Sequence, residues 1–192
     1  MIVLNAAAGN VLPLDVDTKE SLIINVDTSY FHGLSPEEVE EIVFSQEETK
    51  GKIIYCNFDI FEFMERTKIL FDRVAIYRFL EHVRYNEVSY FLYLVGKVMK
   101  RDAIVDVIVP DYKDLAEMIL DDDPFSPSFE KDNIYLTTEL LAQPDDPHAS
   151  IWTVDRLHYF FEIENIFEPI SCEEKFFLDS RDIYIRFLAK RK

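Results

Sequence analysis

The stretch Ile2–Asp27 (IVLNAAAGNVLPLDVDTKESLIINVD) constrains the fold more than any other part of the chain. It opens within a short, β-branched apolar run, Met1–Leu4, of the kind that suits a parallel strand buried on both faces. A small-residue turn, AAAGN, follows, then an irregular connection, then a second apolar strand, Ser21–Val26, closed by Asp27. Strand, tight turn, strand and terminal acid outline a nucleotide-type pocket on an open α/β sheet, where ligands sit beyond the carboxyl ends of the strands. The turn holds a single glycine where a dinucleotide fingerprint has three. Val11–Asp17, interrupted by Pro13, is also a poor helix to follow a phosphate-binding turn, which argues against a nicotinamide enzyme.

The rest of the chain continues the alternation. Ser35-Pro36-Glu37-Glu38 combines a capping serine, a proline at the first helical position and a glutamate that completes a capping box. The helix it starts is expected to reach Ser45 with Val39, Ile42 and Val43 inward. Strands are expected at Lys52–Cys56, Arg73–Tyr77 and Ala103–Val109, with a short helix from Asp59 through Met64. Tyr85–Lys100 is the clearest helix, because Val88, Phe91, Leu92, Val95, Val98 and Met99 recur on one face. A further helix is expected at Tyr112–Leu120, a short one near Thr137–Ala142, and one capped by Thr153 that runs to Glu164. Phe167–Cys172 and Asp182–Leu188 read as a closing antiparallel hairpin. Strands alternating with helices predict a mostly parallel sheet with right-handed crossovers and helices on both faces.

A single domain, 1–192, accommodates this pattern, with 121–152 as a variable, acidic insertion. The 37 acidic and 20 basic residues leave a net charge of −17, which disfavours nucleic acid and anionic membrane surfaces as partners. Two widely separated cysteines, no leader and no long apolar run point to a cytoplasmic protein. Asp121-Asp122-Asp123 matches no calcium-loop spacing and reads as a solvated loop, so no metal is expected.

Several segments, in order along the chain, resemble class I S-adenosylmethionine-dependent methyltransferases, especially small members from bacteria and phages. Leu4-Asn5-Ala6-Ala7-Ala8-Gly9-Asn10 is similar to that family's LNxGxGN turn, and Asn25-Val26-Asp27 to the NVD that ends its second strand. Phe71-Asp72-Arg73-Val74 with Phe79-Leu80-Glu81-His82-Val83 resembles FDxV…LEHV. Val109-Pro110-Asp111 resembles the VPD after strand five, and His148 through Thr153 an HxSxWT stretch. The resemblance implies a Rossmann-like seven-stranded sheet, S-adenosylmethionine as cofactor and a small-molecule or undetermined acceptor. Two departures stand out: Ala7 replaces the first glycine of the turn, and Lys100-Arg101-Asp102 replaces a glycine pair before strand five.

That cofactor carries no phosphate. It needs close backbone approach for its methionine part, a carboxylate for its ribose hydroxyls and an apolar slot with a polar edge for adenine. Asn5, Ala7, Gly9 and Asn10 are the candidates for the first. Asp27 is the candidate for the second, against a plain strand-end turn. Asp59, with Phe58 or Ile60, is the candidate for the third, against a plain helix cap. Tyr77 and Arg78 are expected to line the pocket. His82 is the candidate base, since imidazole titrates near neutrality, against a packing role. His148 and Trp152 are placed to fold over an acceptor, with Trp152 equally suited to the core. With no helix expected ahead of strand one, acceptor choice falls to Asp121–Trp152 and the loop after Asp27. A catalytically silent binding or assembly module on the same fold is the alternative, and a Rossmann-like oxidoreductase a weaker third.

Overall fold

Parallel pairing of the first two apolar segments sets the frame: β1 (Ile2–Ala6) lies beside β2 (Leu22–Val26) in the register Leu4↔Ile24 and Ala6↔Val26. The computed structural model describes residues 1–7, 11–29, 32–45, 49–113, 149–177 and 183–192. Around β1 and β2 assemble β3 (Ile53–Cys56), β4 (Phe71–Tyr77), β5 (Met99–Pro110), β6 (Phe167–Phe177) and β7 (Ile183–Arg191), in the order β3-β2-β1-β4-β5-β7-β6. β7 runs antiparallel to both neighbours and the remaining pairings are parallel. The expected hairpin is therefore present, and its second strand inserts between β5 and β6.

Alternation along each strand sorts the side chains into two layers. Leu4, Ala6, Ile24, Val26, Val74, Ile76, Val105, Val107 and Phe187 join the larger core, which also takes the buried faces of α1 (Pro36–Phe44), α2 (Ile60–Arg66), α3 (Tyr85–Val98) and α4 (Val154–Ile163). Ala75, Tyr77, Ile108 and Tyr184 point the other way into a smaller core. Among the described residues that second face is covered by Val11 and Leu14, from the β1–β2 connection, and by Phe176.

The helix starts follow their sequence signals. Ser35 and Glu38 form the full capping box of α1, Asp59 caps α2 by accepting from Glu62 N–H, and Thr153 caps α4 by accepting from Arg156 N–H. β5 begins at Met99, ahead of the expected Ala103. Met99 pairs with Phe71, and the strand then bulges through Asp102, whose φ of 63° is left-handed. An aspartate tolerates that conformation better than most residues, which accounts for a working turn without the glycine pair. The helices expected at Tyr112–Leu120 and Thr137–Ala142 lie wholly or almost wholly outside the described residues. No helix among the described residues is long and apolar enough to cross a membrane.

Candidate active site

Because β1 to β4 are parallel, their carboxyl ends emerge along one edge, and a cavity of about 290 Å³ opens there. Ala7 lines it beyond β1, Asp27 and Thr28 beyond β2, Phe58, Asp59 and Ile60 beyond β3, and Arg78, Phe79 and His82 beyond β4. Each residue is placed by local backbone chemistry. Ala7 donates its N–H to Val26 O at 2.9 Å and Asp27 donates its own to Cys56 O at 3.1 Å, so the strand ends are tied to one another. Gly33 fixes the end of β3: a Cβ there would stand 2.2 Å from Asn57 N, so only glycine lets the two chains pass.

Asp27, Asp59 and Arg78 are charged residues of the lining. Asp27 Oδ1 accepts from Ser29 N–H at 2.8 Å, and Asp59 Oδ1 accepts from Glu62 N–H at 3.0 Å. The turn and cap roles are thus real, and both residues line the cavity as well. Phe58 lends an apolar wall, with the Arg66 guanidinium 5.3 Å from its ring centroid. Arg78 holds a left-handed φ of 54°, rare outside glycine and a feature of strained sites; it donates N–H to Ile108 O, and its guanidinium lies 5.9 Å from the Tyr184 ring centroid.

His82 closes the 3₁₀ turn Leu80–His82, and the segment beginning at Ala149 holds that turn. Ala149 and Ser150 donate their N–H groups to Glu81 O at 2.8 and 2.9 Å, while Ser150 Oγ and Trp152 Nε1 donate to Leu80 O at 3.0 and 3.1 Å. Trp152 is fully buried, so it is core and does not fold over an acceptor. The similarity to HxSxWT thereby gains a mechanical reading, a latch on the turn that carries His82.

Asn5 and Tyr77, both expected at the pocket, are not among the residues that line this cavity. Strand alternation turns them to the second face, where Asn5 pairs with Asn25 Oδ1 and Tyr77 bonds to Asp106. Gly9, Asn10 and His148 lie outside the described residues. Sequence reasoning missed Thr28 and Phe79 at the cavity; both follow directly on singled-out residues at strand ends. It missed Ser150 and Gly33 as well, whose roles arise only from tertiary contact.

Cysteine chemistry is disfavoured. Burial, then the charges of Glu37 and Glu38, push the Cys56 thiol up to about 12, and burial, then Glu174 and Asp111, push Cys172 up to about 11. Among the described residues no group of three or more His, Cys, Asp or Glu could hold a metal. Asp121–Asp123 lie outside them.

No family model and no curated protein matches the sequence. Solved structures do. A methyltransferase from Methanosarcina mazei, described as S-adenosylmethionine-dependent, matches 99% of this chain and 91% of its own, at TM-score 0.58 and 15% identity. The 1,6-didemethyltoxoflavin-N1-methyltransferase of Burkholderia thailandensis, with 1,6-didemethyltoxoflavin and S-adenosylhomocysteine bound, matches 100% of this chain and 71% of its own, at TM-score 0.56 and 12% identity. Magnesium protoporphyrin IX methyltransferase of Synechocystis PCC 6803, with S-adenosylhomocysteine bound, matches 99% and 73%, at TM-score 0.58 and 12% identity. The chain has the class I S-adenosylmethionine-dependent methyltransferase fold.

Within that methyltransferase fold Ala7 is the unusual element. Its φ of 50° is left-handed, so an alanine occupies a conformation that favours glycine. Relief of the left-handed strain, about 1–2 kcal/mol, outweighs the entropy that a glycine adds to the unfolded chain, about 0.4–1 kcal/mol. Ala7→Gly is therefore expected to stabilise the fold by about 0.5–1 kcal/mol, read from the midpoint of a urea transition at unchanged slope. A midpoint that falls would mean that the methyl group contributes packing greater than its strain.

Proposed function

We propose that this protein is an S-adenosylmethionine-dependent methyltransferase with a small-molecule acceptor. The observation that carries the reading is the cavity itself. Seven of the nine lining residues, Ala7, Asp27, Phe58, Asp59, Ile60, Arg78 and His82, are those assigned to cofactor or chemistry on sequence grounds. They fit the ligand's needs in kind: backbone at Ala7 for the methionine part, the Asp27 carboxylate for ribose hydroxyls, and Phe58 and Ile60 with Asp59 at the edge for adenine. When bound, S-adenosylmethionine supplies an activated methyl on a sulfonium, taken by an acceptor lone pair while the carbon–sulfur bonding pair stays on sulfur. Such a displacement gains most from positioning, so the chain's main work is to hold the two reactants in line and exclude water.

His82 is assigned as the base that takes the acceptor's proton, on a turn held by Ser150 and Trp152 through Leu80 O. Acceptor choice is assigned to the loop after Asp27 and to 121–152. The net charge of −17 argues against a nucleic-acid acceptor, and two free cysteines suit a reducing cytoplasm.

Calorimetric titration with S-adenosylmethionine and S-adenosylhomocysteine tests the reading. Saturable binding is expected, and NAD(H) is expected not to compete. No heat at millimolar ligand would overturn the enzyme and favour a silent module on the same fold. Once an acceptor is in hand, His82→Ala is expected to lower turnover about 10²-fold or more while affinity for S-adenosylmethionine is kept. Unchanged turnover would return His82 to a packing role.

A further inference from the structure

The β1–β2 connection carries no helix among its described residues, although a parallel crossover is usually built on one. Something else must hold it to the sheet. Three polar ties do so, all from side chains on the second face. Asn5 Nδ2 donates to Val11 O at 2.7 Å. Leu14 N–H donates to Tyr77 Oη at 3.0 Å. Asp15, in a left-handed turn, accepts from Arg186 Nη2 at 2.6 Å.

The last two ties share one buried root. Tyr77 donates its O–H to Asp106 Oδ2 at 2.7 Å, and Asp106 is wholly buried. The same carboxylate takes Arg73 Nη2 and, through both oxygens, Arg186 at 2.8 and 3.1 Å. A lone buried carboxylate would be untenable, whereas two guanidiniums and a phenol satisfy it. Since Asp106 can only accept, the phenol must donate to it, and its oxygen is turned to receive Leu14 N–H. Burial, reinforced by the Asp106 charge and hydrogen bond, holds the Tyr77 phenol above its ordinary range, so it stays protonated as the donor.

We infer that Tyr77 is a positioning residue: with Asp106 and Arg186 it staples the β1–β2 connection to the sheet and thereby fixes the β1 wall of the cavity. The chain leaves that wall at Ala7, tied through its N–H to Val26 O, and is tied again at Val11 and Leu14. Three residues separate Ala7 from Val11, and each extended residue spans at most about 3.6 Å, so displacing the second anchor is felt at the first. Tyr77 reaches the ligand site through the backbone and touches none of it. The effect on affinity rests on the cofactor reading above; the staple does not.

Tyr77→Phe tests it, because the ring stays and only the hydroxyl is removed. Amide exchange at Leu14 is expected to accelerate about three- to tenfold, the worth of one net hydrogen bond, while β2 and α3 amides are unchanged. Affinity for S-adenosylmethionine, by calorimetry, is expected to fall by a similar factor, with a melting shift of only about 2–4 °C. Unchanged exchange at Leu14 would overturn the staple. Faster exchange with unchanged affinity would overturn its link to the cavity. If wild type binds no S-adenosylmethionine, the cofactor reading fails and the exchange arm still decides the staple. Asp15→Asn, at an exposed side chain, gives the same readout with a smaller factor should Tyr77→Phe fail to fold; no change at Leu14 there would count against the staple.

Discussion

Trp152→Ala is expected to cost about 3–5 kcal/mol of stability, a large part of the ~5–15 kcal/mol that holds a typical domain. The ring is fully buried, 6.0 Å from the Tyr85 centroid and 5.5 Å from that of Phe160, so truncation leaves a cavity bounded by α3 and α4. The lost hydrogen bonds matter less. Nε1 donates to Leu80 O and to Ser150 Oγ, neutral bonds worth about 1 kcal/mol net each. Trp152→Phe separates the two effects: it keeps most of the packing and loses the donor, and should cost about 1–2 kcal/mol. Circular dichroism in a urea series is the measurement, since Trp152 is the only tryptophan and its fluorescence goes with it. A loss under 1 kcal/mol in the alanine variant would mean that Tyr85 and Phe160 close over the gap. The clasp beside it opposes that closure. Tyr85 hydroxyl bonds to both Ile151 N–H and Ile151 O, Arg156 Nη1 donates to Ile151 O at 2.7 Å, and the Arg156 guanidinium lies 5.2 Å from the Tyr85 ring centroid.

The ends of the strands were legible because their chemistry is local. Apolar runs at Leu22–Val26 and Arg73–Tyr77 stop at residues that must emerge at the carboxyl edge, and the parallel topology gathers those residues whatever their type. Facing is harder to read where both layers are buried. Tyr77 ends β4 and reads as a cavity residue on sequence alone, yet its alternation with Ile76 sends it to the smaller core. The Asp106 cluster was illegible for a related reason. Arg73, Asp106 and Arg186 sit on three strands far apart in sequence, and each alone reads as a polar interruption facing solvent. Only the register brings them together: Asp106 lies opposite Ala75 on β4 and Leu188 on β7, with Arg186 opposite Ile108. Ser150 belongs to the same class, since its partner carbonyls at Leu80 and Glu81 lie about seventy residues earlier.

Asp27→Ala is expected to abolish measurable S-adenosylmethionine binding, a loss of about 100-fold or more. Hydrogen bonds to a charged acceptor are worth about 1.5–3 kcal/mol each, and the ribose offers two hydroxyls. The fold should survive, because the β2–β3 pairing and the Asp27 N–H bond to Cys56 O use backbone alone. The alanine variant by itself leaves two explanations, since Asp27 Oδ1 also accepts from Ser29 N–H and shapes the turn. Asp27→Asn decides between them. An amide oxygen can still accept from Ser29 N–H, so the turn is kept while the charge is lost. If the carboxylate holds the ribose, the asparagine variant should bind about tenfold or more weakly, the difference between charged and neutral acceptors. Wild-type affinity in Asp27→Asn together with loss in Asp27→Ala would make the turn the working element. The ligand contact would then have to come from backbone at Asp27 and Thr28 instead of from the carboxylate.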